Sequence, residues 1–169
     1  MKELLSSYAA YNFWANKTFA DFILKLPATD VNKELPSSFK TIQQTLFHMC
    51  WAENTWRQRL LLAEKVLPLN DELLNDIPGL CKEFIHQSTQ IQQWVASKNE
   101  LALNHVFQYQ NTRNEFFKQP VNEVLLQIFN HGAYHRGQLV NMFRQLGHEN
   151  IPQTDFIIWS RSKKNVNSK

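Results

Sequence analysis

Residues 120–147 read PVNEVLLQIFNHGAYHRGQLVNMFRQLG. Pro120 can stand first in a helix because its missing amide hydrogen would find no partner there, and Gly147 can close one in the left-handed conformation. Between them Val124, Ile128, Leu139 and Met142 recur at steps that keep to one helical face. The spacing predicts a long amphipathic helix, and its apolar face carries two histidines. Side chains four residues apart differ by about 40° in azimuth and about 6 Å in rise. His131 and His135 therefore project from the same side and can grip a single ion. Imidazoles on a core-facing stripe need partners, because each buried polar group left unsatisfied costs about 1–3 kcal/mol.

Three more segments share the helical period. Leu4, Tyr8, Tyr11, Ala15, Thr18, Phe22 and Leu26 form the first stripe, which Pro27 ends. Ile42, Leu46, Met49, Ala52, Trp56 and Leu60 form the second, with Ser37 and Ser38 as candidate caps and Pro68 closing the region. Leu80, Phe84, Gln87, Ile91, Trp94 and Val95 form the third, after a break expected at Pro78-Gly79 and ending near Asn99, while 71–77 can add a short helix. Between the third and fourth helices, Val106, Gln108 and Gln110 alternate with Phe107 and Tyr109, and Asn111-Thr112-Arg113-Asn114 offers turn chemistry, so a short β-hairpin fits there. A connection of about twenty residues is long for neighbouring antiparallel helices. It has room to cross over the domain or to roof a pocket.

Composition agrees with an all-α fold. A chain of 169 residues suits one domain able to bury about 70% of its unfolded surface. With 43% hydrophobic residues, 12 Phe, 5 Trp and 4 Tyr it folds, and with only 4 Gly and 6 Pro it lacks the turn residues that an all-β fold consumes. Residues 1–161 are expected to form that domain and 162–169 a basic, flexible tail. The net charge is +3, yet Arg161, Lys163, Lys164 and Lys169 sit in the last nine residues with no acid, and the rest of the chain is close to neutral. It has no basic stripe of the kind that phosphate-backbone binding needs, so no nucleic-acid partner is expected. The N-terminal residues form no uninterrupted apolar stretch and no later run could span a bilayer, which predicts a soluble, cytoplasmic protein. Cys50 and Cys81, without CxxC spacing, read as buried thiols.

A third ligand candidate strengthens the histidine pair. His48 lies between apolar neighbours in Thr45-Leu46-Phe47-His48-Met49-Cys50-Trp51, and Thr41, Gln44, Thr45, Ala52 and Thr55 around it are small or uncharged. It is expected to face inward. His86 and His105 have no partner at useful spacing, and His148 follows Gly147, where a cation favours the helix dipole. Three neutral imidazoles without thiolate suit a divalent ion of the Zn, Ni, Fe or Mn group, and spacing does not choose among them. No fourth ligand is evident, although Glu53, Glu115 or Asp155 could approach in space, as a ligand or to orient a ligating histidine. An open coordination position is the mark of a catalytic site, where water or a thiol is acidified.

The run His131-Gly132-Ala133-Tyr134-His135-Arg136-Gly137-Gln138 resembles the H-x-x-x-H-R-G-Q signature of the DinB/YfiT-like metalloenzymes, and His48 stands where that family has its helix-two histidine. Tyr11-Asn12-Phe13-Trp14-Ala15-Asn16 is similar to its first-helix pattern and Pro152-Gln153-Thr154-Asp155 to its closing P-x-x-D segment. The resemblance, which extends to about Arg161, implies a four-helix bundle of unusual connectivity, a homodimer, and a metal held by His48, His131 and His135. Many relatives have a further histidine where this chain has Tyr134; it is not one of the three ligands. Trp14 and Asn16 match family positions and are read here as packing and a hydrogen bond across the bundle from a mid-helix Asn, while Arg136 and Gln138 flank His135 and either fix the helix to its neighbours, the reading preferred here, or touch a ligand. Similar proteins include bacillithiol-dependent S-transferases and mycothiol-dependent isomerases, so the resemblance implies a small-molecule substrate, such as a low-molecular-weight thiol, without naming a reaction. Three functions follow as expectations: a metal-dependent transferase or hydrolase, a non-enzymatic bundle with a structural ion, or an interaction module whose histidines are merely buried.

Overall fold

The computed structural model describes the backbone of residues 1–166 and the side chains of residues 1–162. The chain is mostly helical, with one small antiparallel sheet. In order it forms α1 (Lys2–Ile23), α2 (Ala28–Val31), α3 (Ile42–Leu60), a 3-10 turn (Asp71–Asn75), α4 (Ile77–Ser97), α5 (Glu100–Asn104), β1 (Val106–Gln110), β2 (Phe116–Pro120), α6 (Val121–Gln145) and α7 (Phe156–Val166). The four long helices are those that the periodicity predicts, while α2, α5 and α7 are additional. Residues 167–169 of the expected tail lie outside the described residues, and α7 carries the backbone helical past Arg161 to Val166.

Local chemistry explains where the helices start and stop. The second stripe begins at Thr41 rather than at Ser37 or Ser38, because the Thr41 side chain accepts the amide hydrogen of Gln44. Pro78-Gly79 is the first turn of α4 and not a break: Asp76 accepts from the Gly79 amide, and a proline in that turn removes a donor that had no helical partner. Gly147, at φ +86°, ends α6 as expected, with its amide on the Arg144 carbonyl and that of His148 on the Phe143 carbonyl. Pro120 belongs to β2 and only precedes α6. The hairpin pairs Val106 with Pro120 through Gln110 with Phe116. Asn111 holds its turn, its side-chain oxygen accepting from the amides of Arg113 and Glu115.

Helix α1 packs against α4 and α6, and α3 packs against the same two. Two apolar clusters result. One contains Phe19, Ile23, Leu46, Met49, Phe84, Leu139, Met142 and Phe143; the other contains Leu5, Ala9, Ile91, Val95, Phe107, Val124, Leu125 and Phe129. On every long helix the residues between these clusters are polar: Asn12 and Asn16 on α1, Glu53 on α3, Ser88 on α4 and Arg136 on α6, all buried. The face of α1 differs from the expected one. Leu4 is 58% exposed, and the aromatic stripe through Tyr8 and Tyr11 is the seat of α7, with Phe156 stacked on Tyr8 at 5.2 Å and Trp159 edge-on to Tyr11 at 5.9 Å. The stripe bearing the two asparagines is the one turned to the core.

Candidate metal centre

Where α3 meets α6, His48 reaches His131 and His135. The Nε2 of His131 lies 3.0 Å from the Nε2 of His48 and 3.0 Å from that of His135. One ligand atom from each ring lies within 4.8 Å of the other two, and among the described residues no Cys, Asp or Glu joins this group, which could hold a metal ion. Donors about 2.0–2.1 Å from an ion are about 2.9 Å apart at a right angle and about 3.3 Å apart at the tetrahedral angle. The observed spacing falls between the two. Hydrogen count leaves one of the two contacts at His131 without a hydrogen bond inside the protein, since a neutral imidazole nitrogen offers either one hydrogen or one lone pair. The His131 Nε2 can satisfy one of its two neighbours; a cation satisfies all three rings.

The rings are set in a partly open wall. His135 is buried, whereas His48 and His131 are each partly exposed, so the centre sits at the rim of the core and not within it as the apolar stripe suggested. Phe39, from the segment before α3, stacks on the His48 ring at 4.3 Å, and Trp51 lies nearly parallel to it at 5.9 Å. Burial lowers the pKa of His48 to about 4, helped by His135, and that of His131 to about 4, helped by His135 and His48. Burial lowers His135 as well, against the opposing pull of Gln138. All three are therefore neutral near pH 7, the form that ligates metal.

Gln138 does more than join helices. Its Oε1 lies 2.7 Å from the His135 Nδ1, and its Nε2 donates to the Tyr134 hydroxyl and to Ser38. An amide oxygen can only accept, so the His135 proton sits on Nδ1 and the Nε2 lone pair faces the other two rings. Replacing Gln138 with Leu frees the tautomer, and we expect metal affinity to fall about 10- to 100-fold, read by competition with a chromophoric chelator.

The acidic candidates lie elsewhere. Glu53 Oε1 accepts from Asn12 and Asn16 at 2.8 Å each, and its Oε2 accepts from Ser88 at 2.5 Å. Arg136 Nη1 donates to the Oδ1 atoms of the same two asparagines, at 3.0 and 2.6 Å. The two amides thus relay a buried carboxylate to a buried guanidinium, as the mid-helix position of Asn16 had suggested. Gly132 allows this approach, since a Cβ there would lie 3.0 Å from both Arg136 Nη1 and Asn12 Oδ1. Glu115 accepts from Asn111 in the hairpin turn, and Asp155 stands at the start of α7. His148 pairs with Asp30 at 3.0 Å. Phe39 and the Glu53 network were absent from the sequence reading; only the Arg136 and Asn16 family positions hinted at the second.

A family model described as the DinB family matches residues 1–164. The chain is also 29% identical over 155 residues to Protein DinB of Bacillus subtilis (strain 168), covering 86% of this chain and 87% of that relative.

Proposed function

Since this chain belongs to the DinB family, we propose that His48, His131 and His135 hold one divalent ion of the Zn, Ni, Fe or Mn group, and that the centre is catalytic. The observation that carries this reading is the His131 Nε2, faced by two further imidazole nitrogens at 3.0 Å that it cannot both satisfy. When bound, the ion supplies Lewis acidity that lowers the pKa of a small thiol or a water at a position the three histidines leave free. The residues do the rest. Gln138 fixes the His135 ring, Phe39 covers one face of His48, and the partial exposure of His48 and His131 leaves an approach from solvent. Glu53 is not available as a base, because both of its oxygens accept hydrogen bonds inside the core.

This reading takes residues 1–161 as one four-helix-bundle domain, and takes the homodimer from the family resemblance. No helix among the described residues is long and apolar enough to cross a membrane. A structural ion is the second reading, favoured by the tie that His48 makes between α3 and α6. Elemental analysis of untagged protein tests the shared premise: about one equivalent of metal is expected in the wild type and close to none in His131→Ala. Equal metal content in the two would end both readings. Thiol-transfer and hydrolysis panels run on the metal-loaded protein beside His135→Ala then separate them, since a structural ion yields no turnover that depends on the ligand.

A further inference from the structure

The face of α3 that carries His48 does not end there. Trp51, Thr55 and Arg59 follow on the same side of the helix and form the floor of a cleft of about 480 Å³ that the hairpin roofs with Tyr109. At the near end is the Trp51 indole, beside the His48 ring. At the far end the Arg59 guanidinium lies 4.6 Å over the Trp56 ring and 5.2 Å from the Tyr109 ring. It pairs with no carboxylate among the described residues.

Two buried side-chain polar atoms among the described residues have no hydrogen-bond partner, Thr55 Oγ1 and Arg59 Nε. Both belong to this one cleft. The threonine is unusual within its own protein: Thr18, Thr45 and Thr89 each turn the hydroxyl back to the carbonyl four residues before, the ordinary resort of a helical threonine. Thr55, 4% exposed, does not. A guanidinium close to two rings, with an unpartnered Nε, and an unpartnered hydroxyl four residues before it on the same helix are the chemistry that receives an oxyanion.

We propose that this cleft binds the anionic arm of a small-molecule substrate, a carboxylate or phosphate received by Arg59 Nε and Thr55 Oγ1, with the rest of the molecule running along Trp51 toward the three histidines. The second half rests on the catalytic reading above; the anion subsite does not. The test uses the full chain, stripped of metal by chelation and again with one equivalent of zinc. Glutarate and inorganic phosphate are added separately at constant ionic strength, and NMR follows the Arg59 Nε–H and the hairpin amides.

Saturable binding without metal is expected for at least one probe, with the neutral diamide of glutarate inert. It should weaken about tenfold in Arg59→Lys, which keeps a charge but loses the planar donor, and about threefold in Thr55→Val, which keeps the shape. The valine variant guards against the lysine variant having loosened the hairpin. Which probe binds tells carboxylate from phosphate. Binding by neither, or binding unchanged in both variants, overturns the proposal. Binding that requires zinc and ignores both variants also overturns it, while leaving the metal reading intact. Binding without zinc that depends on Arg59, in a protein that holds no metal, would uphold the anion subsite and remove the catalytic reading.

Discussion

Arg136→Met is expected to lower stability by about 3–5 kcal/mol at pH 7, the range found when one partner of a buried ion pair is removed. Methionine replaces the stem without strain, so the loss reports the charge. Without the guanidinium, Asn12 Oδ1 and Asn16 Oδ1 lose their donor, and the Glu53 carboxylate beyond them loses its cation. Burial already raises the Glu53 pKa, with Ser88, Asn12, Arg136 and Asn16 pulling it down; the substitution removes one of those pulls. The sign of the pH dependence follows. A carboxyl whose folded pKa lies above its unfolded value stabilises below the unfolded value and loses that contribution as pH rises through the folded one. The deficit of the variant should therefore be greatest at neutral pH and shrink as pH falls and the side chain takes up the proton that burial favours, since a neutral carboxyl needs no cation. Urea denaturation at several pH values measures it. Adding Glu53→Gln should recover much of the loss at pH 7, and a double variant no better than the single one would mean that the network matters for shape and not for charge.

That network also marks the limit of what the sequence discloses. His131 and His135 are legible because their spacing is a local property of one helix, and His48 because its apolar neighbours betray a face. Asn12 and the partners of Asn16 are not legible in the same way. Asn16 reads as a cross-bundle contact with no indication of what it meets, Asn12 reads as a solvated polar residue, and their partners lie on α3, α4 and α6, far along the chain. The aromatic stripe of α1 then outscored the asparagine-bearing one, although the aromatics serve to seat α7. The closing segment gave no helical period strong enough to announce that helix, because Phe156 and Trp159 find their role only against Tyr8 and Tyr11. Shorter errors have the same origin: Ser37, Ser38 and Thr41 all have a capping oxygen, and only the backbone of Thr41, at φ −128°, aims it at the Gln44 amide. The hairpin was readable because alternation and turn chemistry are local.

Adding metal to the stripped protein should raise its melting temperature by about 10 °C or more once free metal reaches about a thousand times the dissociation constant. The reasoning is linkage. An ion that binds the native rings and finds no such arrangement in the unfolded chain adds about 4 kcal/mol at that excess, and for a domain of this size each kcal/mol moves the midpoint about 2–4 °C. In His48→Ala the response should nearly vanish. The two remaining imidazoles share one helix, and the tie between α3 and α6 is gone, while the variant itself should fold, since His48 sits at the rim with one face against Phe39. The opposite sign is informative for the stripped protein. His131 Nε2 can hydrogen-bond only one of the two nitrogens that face it at 3.0 Å, so the metal-free His48→Ala protein should melt no lower than the metal-free wild type. A stripped variant much less stable than the stripped wild type would mean that the three rings are a hydrogen-bonded packing motif, and the ion a guest that the fold does not require.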